Sequence, residues 1–140
     1  MDRTAVRYGF LLILLALLGG VAAPFMTNPR LGVGAHTLGV LGGLVLIAIG
    51  ATKAAFALQR NLWRVMLTFW LAAAYGNWAN TMLAGLTGAS HLTPIAGAGT
   101  SGTPLAEAVV FVVYVMVGVT STLGTAICVY GLWRGDEAIS

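Results

Sequence analysis

Four apolar stretches, punctuated by proline, glycine and a few charges, organise this chain. Residues 8–26 (YGFLLILLALLGGVAAPFM) hold no charged side chain, and an apolar run of about 20 residues is what a helix needs to cross a bilayer. Val21-Ala22-Ala23 near its end has the small-residue form of a signal-peptide cleavage site. Pro24 directly after it disfavours cleavage, so the stretch reads as a retained first helix. Asn28-Pro29 has the form of a helix start, with a side-chain acceptor at the N-cap and proline in the first helical position. It predicts a second helix over 29–57. Such a helix would run ~45 Å, longer than a ~30 Å hydrocarbon core, so it must tilt or protrude. A third helix is expected over 63–88. Thr103-Pro104 repeats the cap-and-proline start for a fourth over 104–133. Residues 89–103 (ASHLTPIAGAGTSGT) are charge-free and rich in turn formers, which marks a loop. The pattern predicts an all-α fold, a single domain over 1–140 built as an integral membrane four-helix bundle.

Composition agrees. Of 140 residues, 59% are hydrophobic and 8% charged, against about 25% charged in a soluble domain. Mean hydropathy is +0.91. A chain this poor in charge cannot cover a water-facing surface, so its expected surroundings are a lipid bilayer. With four spans, Arg3, Arg7, Lys53, Arg60, Arg64 and Arg134 fall on one side and only Arg30 on the other. The positive-inside rule then puts both termini in the cytoplasm, with Tyr8, Trp63 and Trp133 at the inner interface. The net charge of +3 is therefore a topology signal and makes no case for nucleic-acid binding. The single cysteine, Cys128, excludes an internal disulfide and any multi-cysteine metal site, and reads as a small packing residue.

Candidate chemistry begins in NPRLGVGAHTLGVLGG, residues 28–43. His36 shares a helix face with Gly32, Gly39 and Gly43, because positions three, four and seven apart line up. The expectation is a flat groove holding one nitrogen ligand. His36 is either a hydrogen-bonded structural residue or a metal or haem ligand through a neutral ring nitrogen. A mononuclear zinc would need three or four protein ligands. The other histidine, His91, lies in the expected outer loop, and no carboxylates converge, so zinc is disfavoured. A haem brings four nitrogens of its own and needs only one from the protein.

Polar groups inside a membrane are costly and mark candidate sites. The third helix carries Tyr75-Gly76-Asn77-Trp78-Ala79-Asn80-Thr81 near its middle. Asn77 shares a face with Asn80 and Thr81, and these amides either bond neighbouring helices or address a ligand. His36 and Asn80 each lie about two turns from the outer ends of their helices, so they should lie within about one turn of each other in depth. Glu107 opens the fourth helix, either as a partner of the helix dipole or in a pairing with Arg30. Gly118/Thr122 and Ser121/Thr125 have small-xxx-small spacing, which suits close helix packing or a subunit interface.

NPRLGVGAHTLG, YGNWANT and LTPIAGAG…GTPLAEA together resemble the hydroxylaminobenzene mutases, over about Arg7 to Arg134. That family of bacterial membrane enzymes rearranges hydroxylaminobenzene to 2-aminophenol. More distantly, Ala35-His36 and Trp78-Ala79-Asn80 are similar to styrene oxide isomerase, a four-helix membrane isomerase that forms a trimer with haem b between subunits. The resemblance implies an isomerase of small aromatic substrates in aromatic degradation, in a bacterial inner membrane. It implies haem b with His36 as axial ligand to the iron, in the Gly32, Gly39 and Gly43 groove, and a homotrimer with the cofactor near a subunit interface. It carries over His36 and Asn80; the polar cluster of the third helix adds Tyr75 and Asn77 as expected catalytic groups beside Asn80, with Trp78 and Thr81 against the substrate. Gly42, Gly76 and Ala84 stand where the styrene oxide isomerase pattern has an asparagine, an aspartate and a tyrosine. These departures favour the mutase branch. The alternatives are an epoxide isomerase giving an aldehyde and a small non-enzymatic transporter subunit.

Overall fold

A computed structural model describes residues 1–97 and 99–137, with side chains described through Arg134. The described residues form α1 (Arg3–Ala22), α2 (Pro29–Ala51), α3 (Arg60–Thr87) and α4 (Pro104–Glu137), with short 3₁₀ turns at Ala23–Phe25 and Lys53–Ala55.

The ends of the helices follow from local chemistry. Asp2 caps α1 by accepting from the amides of Thr4 and Ala5, so α1 starts five residues before the expected Tyr8. Asn28 caps α2 through the amide of Leu31, with Pro29 next. The second helix is shorter than expected. Thr52 leaves helical geometry at φ −90°, ψ 13°, and the chain turns through Lys53–Ala55 instead of continuing to 57. That leaves α2 at 23 residues, ~35 Å, which matches a bilayer core without a long overhang. Gly88 ends α3 at φ 74°, a left-handed conformation that glycine enters at little cost.

α2 and α3 form the centre. α1 packs along α2 and α4 packs along α3, with little contact between α1 and α3. α1 and α2 approach until a Cβ on Gly9 would lie 2.6 Å from the Gly43 carbonyl oxygen, and a Cβ on Gly43 would lie 2.6 Å from that of Gly9. Small residues allow such backbone contact, the usual means of helix association in lipid. Leu12, Leu46, Leu67 and Ala74 fill the middle of the core with Trp70, Leu71, Tyr75 and Trp78 around them. Ile49, Trp63 and Met66 fill one end, and Leu31, Ala84, Ala89 and Val110 the other.

Phe10, Leu14, Leu18 and Val21 on α1, and Val112, Met116, Val119 and Leu123 on α4, are exposed. An apolar exterior of this kind belongs in lipid. α1 with its 3₁₀ turn, α2 and α4 through Arg134 are each long and apolar enough to cross a membrane, so this is a membrane protein. α3, expected as the third of four spans, is less apolar than the other three helices. Arg60, Asn61 and Arg64 begin it and Tyr75, Asn77, Asn80 and Thr81 interrupt it. Its neighbours screen that polar middle.

Candidate active site

His36 leaves α2 toward α1. Its Nδ1 lies 3.0 Å from the carbonyl oxygen of Ala16. A carbonyl can only accept, so Nδ1 donates this bond, and in the neutral ring the lone pair is then on Nε2. Gly20 lies under the ring, where a Cβ would come 2.6 Å from Nδ1. The half-buried ring borders a recess of about 350 Å³ lined by Leu17, Gly20, Val21 and Val33, on the side where α1 and α2 face out of the molecule.

The glycine groove expected beside His36 is not open. α1 lies in it: a Cβ on Gly39 would meet the Ala16 methyl at 2.5 Å, and one on Gly43 would meet Ile13 Cγ1 at the same distance. Gly32 is closed by Ala23 and the Met26 sulfur, each 2.8 Å from its Cβ position. Gly32, Gly39 and Gly43 thus serve helix packing in the protomer, and the recess at His36 borders Gly20 and Val33 instead.

The structure sets α2 and α3 in the expected depth register. Trp78 lies against Gly39, with its Cδ1 2.6 Å from that Cβ position, and Thr81 Cγ2 lies 3.9 Å from that of Gly34. The side chains then part. Tyr75 turns to α1 and donates to the carbonyl of Tyr8 at 2.7 Å. Trp78 wedges between α1 and α2, its Nε1 buried without a partner. Asn80 turns to α4 and donates to the carbonyl of Val110 at 3.0 Å, leaving its Oδ1 buried and unpaired. Thr81 donates to the carbonyl of Asn77 and lies 2.9 Å from the Tyr114 hydroxyl. The cluster therefore does not converge on His36 within one chain.

Asn77 lines a separate cavity of about 220 Å³ among α2, α3 and α4, with Leu41, Gly42, Trp70, Val117 and Ser121. His36 and the α2 residues of this cavity point to opposite faces of their helix, as their spacing at 100° per residue requires. Gly42 is closely packed here, and a side chain on it would make a neighbour give by a few tenths of an ångström. The nearest atom to a Cβ on it would be the Ala74 methyl at 3.2 Å.

The end of the protein at the 88–103 loop is tied by groups whose roles the sequence does not reveal. Glu107 pairs neither with Arg30 nor with the start of its own helix. Its carboxylate accepts from the amides of Ser90, His91 and Gly102, at 3.0, 3.1 and 2.9 Å. His91 Nδ1 lies 3.8 Å away. Asn28 adds a second tie, donating to Thr100 Oγ1 at 2.8 Å, while its backbone N–H reaches the Gly85 carbonyl. A lone acid facing a loop of backbone donors is the available signal, but which amides it takes depends on the loop's path. Among the described residues no three His, Cys, Asp or Glu side chains gather as a metal site.

A helical membrane protein with the His36 imidazole at an outward recess and the Asn77 amide in a partly open cavity carries polar groups within the membrane that can address a small ligand. The chain matches the styrene oxide isomerase family over residues 1–133. It belongs to that family and is an isomerase. Among curated proteins it is similar to hydroxylaminobenzene mutase HabB of Ectopseudomonas oleovorans, 33% identical over 133 residues, which cover 94% of this chain and 81% of that protein. It is also 40% identical to hydroxylaminobenzene mutase HabA of the same organism over 105 residues, 73% of this chain and 76% of the relative. No solved structure matches the chain.

Proposed function

We propose that this isomerase converts aryl hydroxylamines of the hydroxylaminobenzene type to 2-aminophenols. The observation that carries the reading is the likeness to two hydroxylaminobenzene mutases, over 94% of this chain for one and 73% for the other. The reaction breaks the N–O bond and forms a C–O bond at the ortho ring carbon, with the ortho hydrogen lost as a proton and one proton returned to nitrogen. Atoms and electrons balance without an outside oxidant.

His36 is the residue that would hold the iron of a haem b. Histidines that bind metals usually donate their other ring nitrogen to a carbonyl or carboxylate, as Nδ1 does to Ala16, and the recess beside it is apolar. The haem, when bound, would supply a Lewis-acidic iron. The chain supplies the rest. Ala16 holds the imidazole in one tautomer. Asn77 lies across α2 from His36, so its amide, with Trp70 and Val117 as walls for an aromatic ring, would meet a substrate at the haem of a neighbouring copy. Asn80 Oδ1 is a second free acceptor on the α4 side. Tyr75 and Trp78, expected to act directly, hold α1 against α3 and set the depth of the site.

The His36 recess opens outward, so its completion by a neighbouring copy suits a homotrimer. The location this implies is a bacterial inner membrane, multi-pass with both termini cytoplasmic. A visible spectrum of the purified protein tests the haem reading. Protein made with ample haem is expected to show a Soret band that His36→Ala and Gly20→Val both lose, with helical circular dichroism retained. A wild type with no such band refutes haem binding.

The family match favours a second reading, an epoxide isomerase giving an aldehyde. Hydroxylaminobenzene and styrene oxide offered in parallel separate the two. Turnover of the epoxide alone would replace the first reading by the second.

A further inference from the structure

We infer that the turn between α2 and α3 forms a site for the phosphate of an anionic phospholipid. A cavity of about 410 Å³ opens there, lined by Lys53, Phe56, Leu58, Arg60 and Trp63. Its walls are of two kinds. Phe56 and Trp63 form an aromatic floor, their ring centroids 5.8 Å apart. Lys53 and Arg60 stand at its edge. Arg60 is exposed, and its five N–H donors suit a phosphate, which they can grip in pairs.

Lys53 is partly engaged. Its Nζ lies 3.1 Å from Asp2 and 4.8 Å from the centre of the Trp63 ring. An ammonium has three donors, and the side chain is 43% exposed, so donors remain for a ligand. Asp2 is the acid facing this cavity, and it is saturated. It accepts from Thr4, Ala5, Lys53 and Trp63. The first turn of α3 adds to the field. It holds no acidic residue, and Gln59 leaves its amides uncapped. Arg64 follows one turn later.

An apolar aromatic floor with cations at its rim is the surface a lipid presents to in reverse: acyl chains beside the rings, phosphate at the rim. A free phosphate would need the cations but would gain nothing from Phe56, Leu58 and Trp63. The inference does not depend on which isomerase reaction the protein performs.

The test is lipid retention by the purified protein, read by native mass spectrometry and by the shift in thermal midpoint. Phosphatidylglycerol is expected to bind and stabilise, phosphatidylcholine to do neither, and salt to weaken the effect. Arg60→Gln should weaken phosphatidylglycerol binding about fivefold, the worth of one basic residue at a membrane surface. Arg30→Gln, at the opposite end, should leave it unchanged. Equal retention of the two lipids overturns the site. So does an unaltered Arg60→Gln with native circular dichroism, or an equal stabilisation by inorganic phosphate at millimolar concentration. The comparison of lipids on the wild type decides the matter even if the variant fails to fold.

Discussion

Asp2 concentrates more structure than its place near the start of the chain suggests. It caps α1, pairs with Lys53 and accepts the Trp63 indole at 2.9 Å, while its own N–H reaches the Gly50 carbonyl. Burial acts to raise its pKa, but the hydrogen bonds from Lys53, Ala5 and Trp63 outweigh it and hold the carboxyl below its ordinary 3.8. A carboxyl with a depressed folded-state pKa stabilises the fold above its unfolded value, and that contribution is lost as the pH falls through the folded one. Asp2→Asn is therefore expected to lower the thermal midpoint at pH 7. The gap to wild type should close as the pH drops below 3.8, as scanning calorimetry across pH would show. A gap that persists at pH 2 would mean that packing, and no charge, is lost.

Between elements, two contacts decide how the helices sit. Gly43 lets α1 meet α2 backbone to backbone. Gly43→Val forces that contact apart, and overpacking of this kind costs about 1–3 kcal/mol. The expected readout is a lower thermal midpoint and a weakened His36–Ala16 bond, visible in the same spectrum that tests haem binding. At the other end Glu107 ties the 88–103 loop to α4. Glu107→Gln keeps the shape but weakens acceptance of three amide hydrogens, since a charged acceptor bonds more strongly than a neutral one. Hydrogen exchange should quicken at Ser90, His91 and Gly102, with α1 and α2 unchanged.

At the scale of the molecule, the cavity holding Asn77 exists only because α2, α3 and α4 meet around it. If the substrate lies there, Asn77→Leu should reduce kcat/KM by ten- to a hundredfold, the loss expected when one to two polar contacts to a reacting group are removed at about 1.4 kcal/mol per tenfold. Tyr75→Phe, which severs the bond to Tyr8 away from the cavity, should lower stability more than activity. Parallel turnover and melting measurements on both variants check this, and the reverse ranking would move the chemistry to the α1 side.

Much of this was legible in the residues themselves. Asn28-Pro29 and Thr103-Pro104 start helices because capping and proline act locally. The shared depth of His36 and Tyr75–Thr81 follows from counting turns. The end of α2 was not legible, because Thr52 to Phe56 contain no proline or glycine to announce the turn. What only the tertiary structure decided is direction. A helix that is apolar all round does not declare an inner face, so the sequence brought Gly32, Gly39 and Gly43 to one side of α2 without saying that α1 would occupy it. The same freedom sent Tyr75 and Trp78 to α1, Asn80 to α4 and Asn77 to a cavity between them. Along the membrane normal, lengths and caps set position. Around each helix axis, close packing of small residues chose the partner, and with it the face that His36 presents.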